Sequence, residues 1–259
     1  MSDVPDPGEI FERAADEGNR RLDQSLVELV STSFIAGFTI VFGIVALGIV
    51  EGIVHPVSSE LAKLAGALAF GPGLVFLVMG RTELFNENFL DPVAAAVDDE
   101  DSWLLGSIGR LWAVTFAMNL VGGLLIVAVL SVDGAIPSSA ADALVGFAEE
   151  AAGRPTVVVF IRAFIGGALV ALLTYLLDAV HAATGRILLS YVVGVLLALG
   201  PFDHVIVSVL HVAFGMLLGA DVTLAALGEA TVVVTAGNVV GGVGLVTAAH
   251  VEQALGAEE

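Results

Sequence analysis

The residues of this chain that could do chemistry are concentrated in one stretch, Gly80 to Asn88, which reads GRTELFNEN. Its ionisable side chains, those of Arg81, Glu83 and Glu87, directly follow the apolar residues 61–79. Lipid-facing backbone must be fully hydrogen-bonded, so a charged and irregular stretch at membrane depth survives only when it is enclosed in protein or lines a water-filled cavity. The stretch therefore predicts a pore or a binding site.

A second candidate stretch, LGPFDHVIVSV at residues 199–209, carries an aspartate and a histidine. Because Pro201 has no N–H to donate, we expect a helix to break there and to restart after Phe202, with Asp203 as its cap. A helix N-terminus at membrane depth presents unpaired N–H groups and attracts anions. Intramembrane ionisable residues are functional by default, so we interpret His204 as a functional side chain rather than a packing histidine.

Composition places both stretches in a membrane protein. Apolar residues make up 57% of the chain and charged residues only 14%, against about 25% charged in soluble proteins. A helix crosses a bilayer with about 20 apolar residues, and the chain has apolar blocks at 28–51, 61–97, 106–130, 156–179, 187–218 and 227–251. The second and fifth blocks exceed one crossing, which predicts an all-α membrane protein of six transmembrane helices with broken second and fifth helices.

A weak internal repeat relates the two halves. NLVGG begins at Asn119 in the third block, and NVVGG begins at Asn238 in the sixth. Each half holds three crossings, an odd number, so the halves form an inverted 3+3 repeat, an arrangement that places a site at the midplane. The paired glycines fit close helix contact equally well, and the sequence leaves both interpretations open.

We expect three regions along the chain: an amphipathic N-terminal helix in residues 1–25, the transmembrane domain in 26–252 and an acidic tail in 253–259. We interpret the first as a collar at the membrane surface, with Arg20 and Arg21 facing water or headgroups. The basic residues of the short loops favour cytoplasmic termini in a multi-pass protein of the cell membrane. DDEDS at 98–102 is then an inner loop.

Charge is the unusual feature of the composition. The net charge is −19, from 28 acidic and 9 basic residues. Such surfaces are typical of proteins bathed in molar salt, where the screening length falls to about 3 Å, so we interpret the chain as that of a halophile. An unpaired charge at a helix centre costs about 2.5 to 3.5 kcal/mol, and we expect Arg81 to neutralise Glu83 or Glu87 and so stabilise the loop.

GRTELFNEN, followed by LGPFDH and GNVVGG, is similar to the motifs of the formate/nitrite transporter family, whose first motif typically reads G-x-E-L-F-T-G-N. The likeness extends from the N-terminal helix to the sixth span. It implies an aquaporin-like protomer with broken second and fifth spans, assembled as a homopentamer with one pore per subunit. Members of the family move formate, nitrite, hydrosulfide, lactate or acetate.

The resemblance also assigns pore residues. The matched positions are Phe70, Leu74, Phe85, Asn86, Phe202, His204 and Asn238. Three positions depart from the family pattern: Asn86 replaces the loop threonine, Glu87 replaces a glycine, and Thr156 replaces a lysine often found at the start of the fourth span.

We therefore predict a membrane channel or transporter for small monovalent anions of weak acids. A bare carboxylate in apolar surroundings costs on the order of tens of kcal/mol, and a protonated acid only a few. We expect the anion to pass the apolar ring of Phe70, Leu74, Phe85 and Phe202 in protonated form, with His204, bonded to Asn86 directly or through water, assisting the proton. The expected partners are the anion or its conjugate acid, membrane lipid and identical subunits, with no nucleic acid, cofactor or metal.

Two other functions stay open. The first is a pore for small neutral solutes such as water, ammonia or undissociated acids, with His204 as a polar lining. The second is an intramembrane enzyme that uses Glu83, Glu87, Asp203 and His204. Those four residues lack an HExxH-like spacing for a metal, and the chain has no cysteine nucleophile, so we do not predict an enzyme.

Overall fold

The computed structural model describes residues 5–99 and 104–257, and all regular structure in these residues is helical. The helices are α1 Pro7–Leu22, α2 Leu26–Val54, α3 Ser59–Met79, α4 Asp91–Asp98, α5 Leu105–Leu130, α6 Ser138–Ala152, α7 Thr156–Asp178, α8 Ala183–Leu199, α9 Val205–Leu217, α10 Leu224–Val239 and α11 Ala248–Ala257. A 3-10 turn spans Phe85–Asn88, and a π-helical segment, Val240–Thr247, joins α10 to α11. Most of the predicted DDEDS loop, at 100–102, and the end of the acidic tail, at 258–259, lie outside the described residues.

The pattern of spans confirms the prediction of six crossings with two of them broken. Among the described residues, α2, α3, α5, α7 and the continuous segment Leu224–Gly256 are each long and apolar enough to cross a membrane. The remaining crossing consists of the shorter apolar helices α8 and α9, which residues 200–204 separate. In the second crossing, residues 80–90 separate α3 from the short α4. We call these two segments the first break (80–90) and the second break (200–204).

The two halves of the chain run in opposite directions. Helices α1 and α11 pack against each other, so both ends of the described chain lie on one side, which we call the terminal face. Helix α6 packs against α2 and α9 on the other side, which we call the opposite face. Helix α2 follows α1 and starts at the terminal face, whereas α7 follows α6 and starts at the opposite face. This is the predicted inverted arrangement.

Local sequence explains where the helices stop. Helix α3 is capped by Gly80, after which Arg81 adopts a left-handed φ of 51°. The chain restarts as α4 with a proline in its first turn, where a missing N–H costs nothing. Helix α8 ends at Leu199, directly before Gly200 and Pro201, because proline cannot continue the hydrogen-bond ladder.

The prediction that Asp203 caps the restarted helix is wrong. The capping position of α9 belongs to His204, and no side chain caps that helix end. The carboxylate of Asp203 instead accepts hydrogen bonds from Arg162 of α7 at 3.0 and 3.2 Å. A guanidinium pairs with both carboxylate oxygens at once, which an N-cap bond does not do.

The glycines of the two repeated motifs allow close helix contact. A Cβ atom at Gly122 would strike the carbonyl oxygen of Phe34, and one at Gly241 would strike the carbonyl oxygen of Phe164. Each contact joins the last helix of one half to the first helix of the same half. The structural interpretation of these glycines therefore holds at both positions.

Candidate functional site

Asn119 holds the first break in place. Its side-chain Nδ2 donates to the carbonyl oxygens of Ser33, at 2.7 Å, and Glu83, at 2.9 Å. Its Oδ1 accepts from the backbone N–H of Phe85 at 2.9 Å. The asparagine thus replaces hydrogen bonds that the unwound backbone cannot make within a helix, and backbone without them would not survive at membrane depth.

Asn238 does the same for the second break. Its Nδ2 donates to the carbonyl oxygens of Ala163 and Asp203, both at 2.7 Å, and its Oδ1 accepts from the N–H of Val205 at 2.8 Å. In both halves the asparagine bonds one carbonyl of the first helix, one carbonyl of the break and the N–H two residues further on. The two breaks are therefore structurally equivalent.

The equivalence pairs His204 with Leu84. Each is the residue between the carbonyl and the N–H that its asparagine binds. Both side chains are buried, at 0% exposure for Leu84 and 2% for His204. Among the residues that the structure describes, neither ring nitrogen of His204 has a hydrogen-bond partner. An unpaired polar group in the interior costs free energy, so a histidine here points to a polar ligand or to water.

Asn86 joins the two breaks. Its Nδ2 donates to Oδ1 of Asn238 at 2.8 Å, and its own Oδ1 has no partner. We expected His204 to bond to Asn86 directly or through water, and the described residues show no direct hydrogen bond between the two side chains. Asn238 thereby connects the first break, the second break and α7.

A cavity of about 60 Å³, the opposite cavity, lies beside the second break. The predicted residues Phe70, Phe202 and His204 line it together, with Asp203 and the sequence-distant Phe147 of α6. Phe147 stacks on the buried His211, with ring centroids 3.6 Å apart. Sequence reasoning missed Phe147, since α6 belongs to a connection whose position over the cavity only the tertiary structure sets.

The cationic groups of the opposite cavity come from α7 and the residues before it. Arg162 lines the cavity and pairs with Asp203, and Arg154 approaches Asp203 at 3.6 Å. Thr156, the position of the expected lysine, lies at the exposed start of α7 and donates to Glu229 at 3.2 Å. The positive charge near this cavity therefore comes from arginines of the neighbouring turns.

A larger cavity of about 330 Å³, the terminal cavity, lies between the first break and the ends of α7 and α8. Arg81, Glu83 and Glu87 of the first break line it. Glu83, 2% exposed, accepts from Gln24 at 2.9 Å and pairs with Arg20 at 3.3 Å. The polar first break therefore faces water at the terminal end of the protein.

Arg21 of α1 forms ion pairs and hydrogen bonds with several residues of the first break and with the start of α4. It pairs with Glu83 at 3.4 Å and with Asp91 at 3.3 Å. It also donates to the carbonyl oxygen of Glu87 at 3.1 Å and to Oδ1 of Asn88 at 2.9 Å. The expectation that Arg21 faces water or headgroups is therefore wrong: α1 packs on α4, and Arg21 is largely buried, whereas Arg20 is exposed.

Arg81 does not neutralise the acids of the first break. In the part of the chain that the structure describes, it forms no ion pair, and its left-handed backbone leaves it exposed. The role that we expected of Arg81 belongs to Arg20 and Arg21, roughly sixty positions earlier, as their pairs with Glu83 indicate. Sequence spacing offered no signal for a contact that depends on how α1 docks.

Glu17 completes the α1 side of this network. Burial acts to raise its pKa, but the hydrogen bond from Arg20 and the charges of Arg20 and Arg21 outweigh burial and lower the pKa to about 2. Glu17 is therefore ionised at neutral pH. Its Oε1 holds Arg20 at 2.6 Å and Arg21 at 3.3 Å, which orients both guanidinium groups toward the first break.

Two residues of the predicted apolar ring, Phe70 and Leu74, lie in the apolar core, and we call them the apolar layer. Leu74 is 1% exposed and Phe70 2%, and both belong to the largest buried apolar cluster. Phe85 lines neither cavity. Its ring packs edge-on against Phe89 and Phe116, each with a centroid separation of 5.2 Å. The predicted ring of four apolar residues is thus divided, with Phe85 in an aromatic cluster against α5.

The four residues of the enzyme hypothesis are not brought together. Glu83 and Glu87 line the terminal cavity, whereas Asp203 and His204 line the opposite cavity. Within residues 5–99 and 104–257, no group of three or more His, Asp and Glu side chains is placed to hold a metal ion. The arrangement fits two vestibules on either side of a barrier, rather than one reaction centre.

Comparisons with known proteins bear on this arrangement. The family model described as formate/nitrite transporter matches residues 8–251. The inner membrane protein YfdC of Escherichia coli K12 is 23% identical over 205 residues, which are 79% of this chain and 65% of YfdC. The probable formate transporter of Methanothermobacter thermautotrophicus is 28% identical over 236 residues, which are 84% of this chain and 85% of that protein.

Solved structures show the same fold. An FNT family ion channel superposes with a TM-score of 0.82 and 19% identity, over 93% of this chain and 97% of that chain. A pentameric formate channel with formate bound superposes with a TM-score of 0.69 and 21% identity, over 88% of this chain and 93% of that chain.

Proposed function

The chain belongs to the formate/nitrite transporter family, and from that membership we propose that it is a membrane channel or transporter for the small monovalent anions of weak acids, such as formate, nitrite and acetate. The observation that carries the proposal is the unpartnered imidazole of His204. It sits in a break that Asn238 holds open, beside a cavity that an apolar layer closes. A cavity that combines aromatic side chains with Arg162 and an unpaired imidazole fits a small anion that a proton neutralises.

The proposed path begins in the opposite cavity. An anion is attracted there by Arg162, which lines the cavity beside Asp203, and by the nearby Arg154, which pairs with Asp203 and with Glu150. His204 accepts a proton from a hydronium ion of the cavity at one ring nitrogen and donates the proton of its other ring nitrogen to a carboxylate oxygen, so the imidazole is neutral before and after the transfer. The neutral acid then crosses the layer of Phe70 and Leu74, because moving the bare anion costs on the order of tens of kcal/mol.

The other predicted residues take supporting roles in this proposal. Asn238 and Asn86 hold the two breaks at a fixed separation through their 2.8 Å hydrogen bond. Phe202 narrows the opposite cavity, whereas Phe85 fixes the first break against α5. Thr156 stands outside the path, in contact with Glu229.

We further propose a homopentamer with one pore per protomer in the cell membrane, with the terminal face in the cytoplasm. The support for a pentamer is the pentameric formate channel that shares the fold. The support for the orientation is the excess of arginines in α1 and the short connections of that face, since basic residues favour the cytoplasmic side.

Flux into proteoliposomes tests the proposal. Purified protein in vesicles is given formate, nitrite, acetate, urea or glycerol across a pH series in high salt, with protein-free vesicles as the reference. We expect protein-dependent flux of the weak acids, accompanied by acidification of the vesicle lumen, and none of urea or glycerol. Luminal acidification that equals that of protein-free vesicles would contradict a protonated passage.

The pore for neutral solutes remains the second candidate, and one observation favours it. Among the described residues, no carboxylate or other polar group pairs with His204. A histidine that serves only as a polar pore lining needs no such partner. The same vesicles distinguish the two functions. Flux of water or ammonia with no anion-dependent acidification would support the neutral pore and overturn the anion proposal.

A further inference from the structure

Glu87 is a carboxyl group that lines the terminal cavity. A role in stabilising the loop does not explain its position. It is 5% exposed, and its Oε1 has no hydrogen-bond partner. It forms no ion pair within residues 5–99 and 104–257, whereas Glu17, Glu83 and Asp91 each have an arginine nitrogen within 3.4 Å. A buried carboxyl without a partner is costly, so a merely structural residue here would be apolar or paired.

The main chain, rather than the side chain, anchors Glu87. Its carbonyl oxygen accepts from Arg21 at 3.1 Å and from Thr174 at 3.5 Å. The backbone of the first break is therefore fixed without the carboxyl, which projects into the terminal cavity. Position 87 is also where the resembling family motif has glycine, so the scaffold does not need a carboxyl there.

Glu87 and His204 line different cavities. Glu87 follows Asn86, whose amide binds Asn238, and Asn238 binds both backbone groups that flank His204. Each of the two titratable side chains opens onto one cavity only, His204 onto the opposite cavity and Glu87 onto the terminal cavity. A neutral acid that forms on one side must lose its proton on the other.

We propose that Glu87 is the proton-exchange group at the terminal end of the path, which deepens the proposed function and rests on it. The O–H bond of the arriving acid breaks, its proton forms an O–H bond with the Glu87 carboxylate, and the anion leaves into the terminal cavity. Glu87 then passes the proton to cavity water. In the reverse direction, protonated Glu87 donates to an anion that enters from that cavity.

The charges that face Glu87 set its environment. They are Glu17, Arg20 and Arg21 from α1, Arg81 and Glu83 from the first break, Asp91 from α4, and Asp178, His181 and Arg186 from α7, α8 and their connection. The arginines hold a departing anion in the cavity while Glu87 takes its proton. Because Arg20 and Arg21 pair with Glu17, Glu83 and Asp91, Glu87 stays available for exchange.

The test uses the full-length protein in proteoliposomes with formate as the probe. Luminal acidification reports protons, and light scattering reports solute entry. The variants are Glu87→Gln, which removes the titratable group, Glu87→Asp, which keeps a carboxyl, and Glu87→Gly, the smaller residue of the family motif. Glu12→Gln, an exposed carboxyl of α1, is the matched control, and gel filtration checks that each variant assembles.

We expect Glu87→Gln and Glu87→Gly to slow proton-coupled formate flux at least about tenfold. In both variants the flux should no longer depend on the pH at the terminal face, while its dependence on the pH at the opposite face stays as in the wild type. Glu87→Asp should restore both, and Glu12→Gln should match the wild type. Glu87→Gly covers the case in which Glu87→Gln does not assemble. Flux within twofold of the wild type, or slower flux with unchanged pH dependence at both faces, would overturn the role of Glu87. Failure of the wild type to move formate would instead overturn the proposed function.

Discussion

The two breaks use the same device and carry different chemistry. In each, an asparagine of the last helix of its half binds a carbonyl of the break and the N–H two residues on. Between these two groups the first break has Leu84, which is apolar, and the second has His204. The repeat thus provides a scaffold for unwound backbone, and the single residue that it leaves free determines what the break can do.

The charges beside the breaks differ in origin. The carboxylate of the second break, Asp203, pairs with Arg162 from the same half of the repeat. Glu83 of the first break and Asp91 at the start of α4 pair with Arg21 of α1, which lies outside the repeat. The first break therefore depends on a helix that the second break does not need, and this makes the terminal face the place where α1 can influence the path.

The largest expected effect comes from removing the shared device. Asn238→Ala deletes four hydrogen bonds, and Asn119→Ala deletes three. Each buried group left unpaired costs about 1 to 3 kcal/mol. We expect Asn238→Ala to lower the melting temperature of the purified protein the most, followed by Asn119→Ala. The exposed Asn19→Ala should have no effect, and equal melting of all three variants would refute the equivalence of the breaks.

A smaller loss is expected from removing the cation of the first break. Arg21→Met leaves Glu83 and Asp91 buried without their shared partner, a change that costs about 3 to 5 kcal/mol when a buried pair is broken. Thermal unfolding in detergent measures the loss, with the exposed Lys63→Met as the control for one lost charge. Arg162→Met should cost less, because Arg154 remains beside Asp203. A larger loss of stability in Arg162→Met than in Arg21→Met would contradict the expectation that the first break depends more strongly on its arginine.

The smallest effect on stability, but a clear one on flux, is expected from making the two breaks alike. His204→Leu copies the residue of the first break and removes two unpaired ring nitrogens, so the protein should remain assembled and at least as stable. Loss of a hydrogen bond to a charged group costs about 1.5 to 3 kcal/mol, which is a tenfold or greater loss of rate. Proteoliposome flux of formate measures it. Unchanged flux would show that the difference between the breaks has no role in transport.

Much of the fold could be predicted because bilayer physics acts on local sequence. Apolar blocks long enough to cross gave the spans, and Gly200-Pro201 and Asp91-Pro92 marked where helices end or restart. The repeated Asn-x-x-Gly-Gly motif predicted the inverted halves. The halophile interpretation, which rests on charge alone, stays a prediction.

The candidate site was predictable only where its residues lie within the breaks. One cavity is lined by His204, Phe70 and Phe202, as their positions suggested. In contrast, Phe85 packs in an aromatic cluster and Thr156 lies at the surface. The side chain of a break residue faces the path or the packing according to neighbours from other helices, and sequence spacing does not encode those neighbours.

The sequence by itself determined the spans, the breaks and the repeat, because hydrophobic length, proline and glycine act through the nearest few residues. Only the tertiary structure decided which charges meet. Arg21 forms ion pairs with Glu83 and Asp91 because α1 packs against α4. Among the described residues, Arg81 pairs with neither of them. Electrostatic pairing depends on distances of a few ångströms in space, and residues far apart in the chain reach such distances only when helices dock.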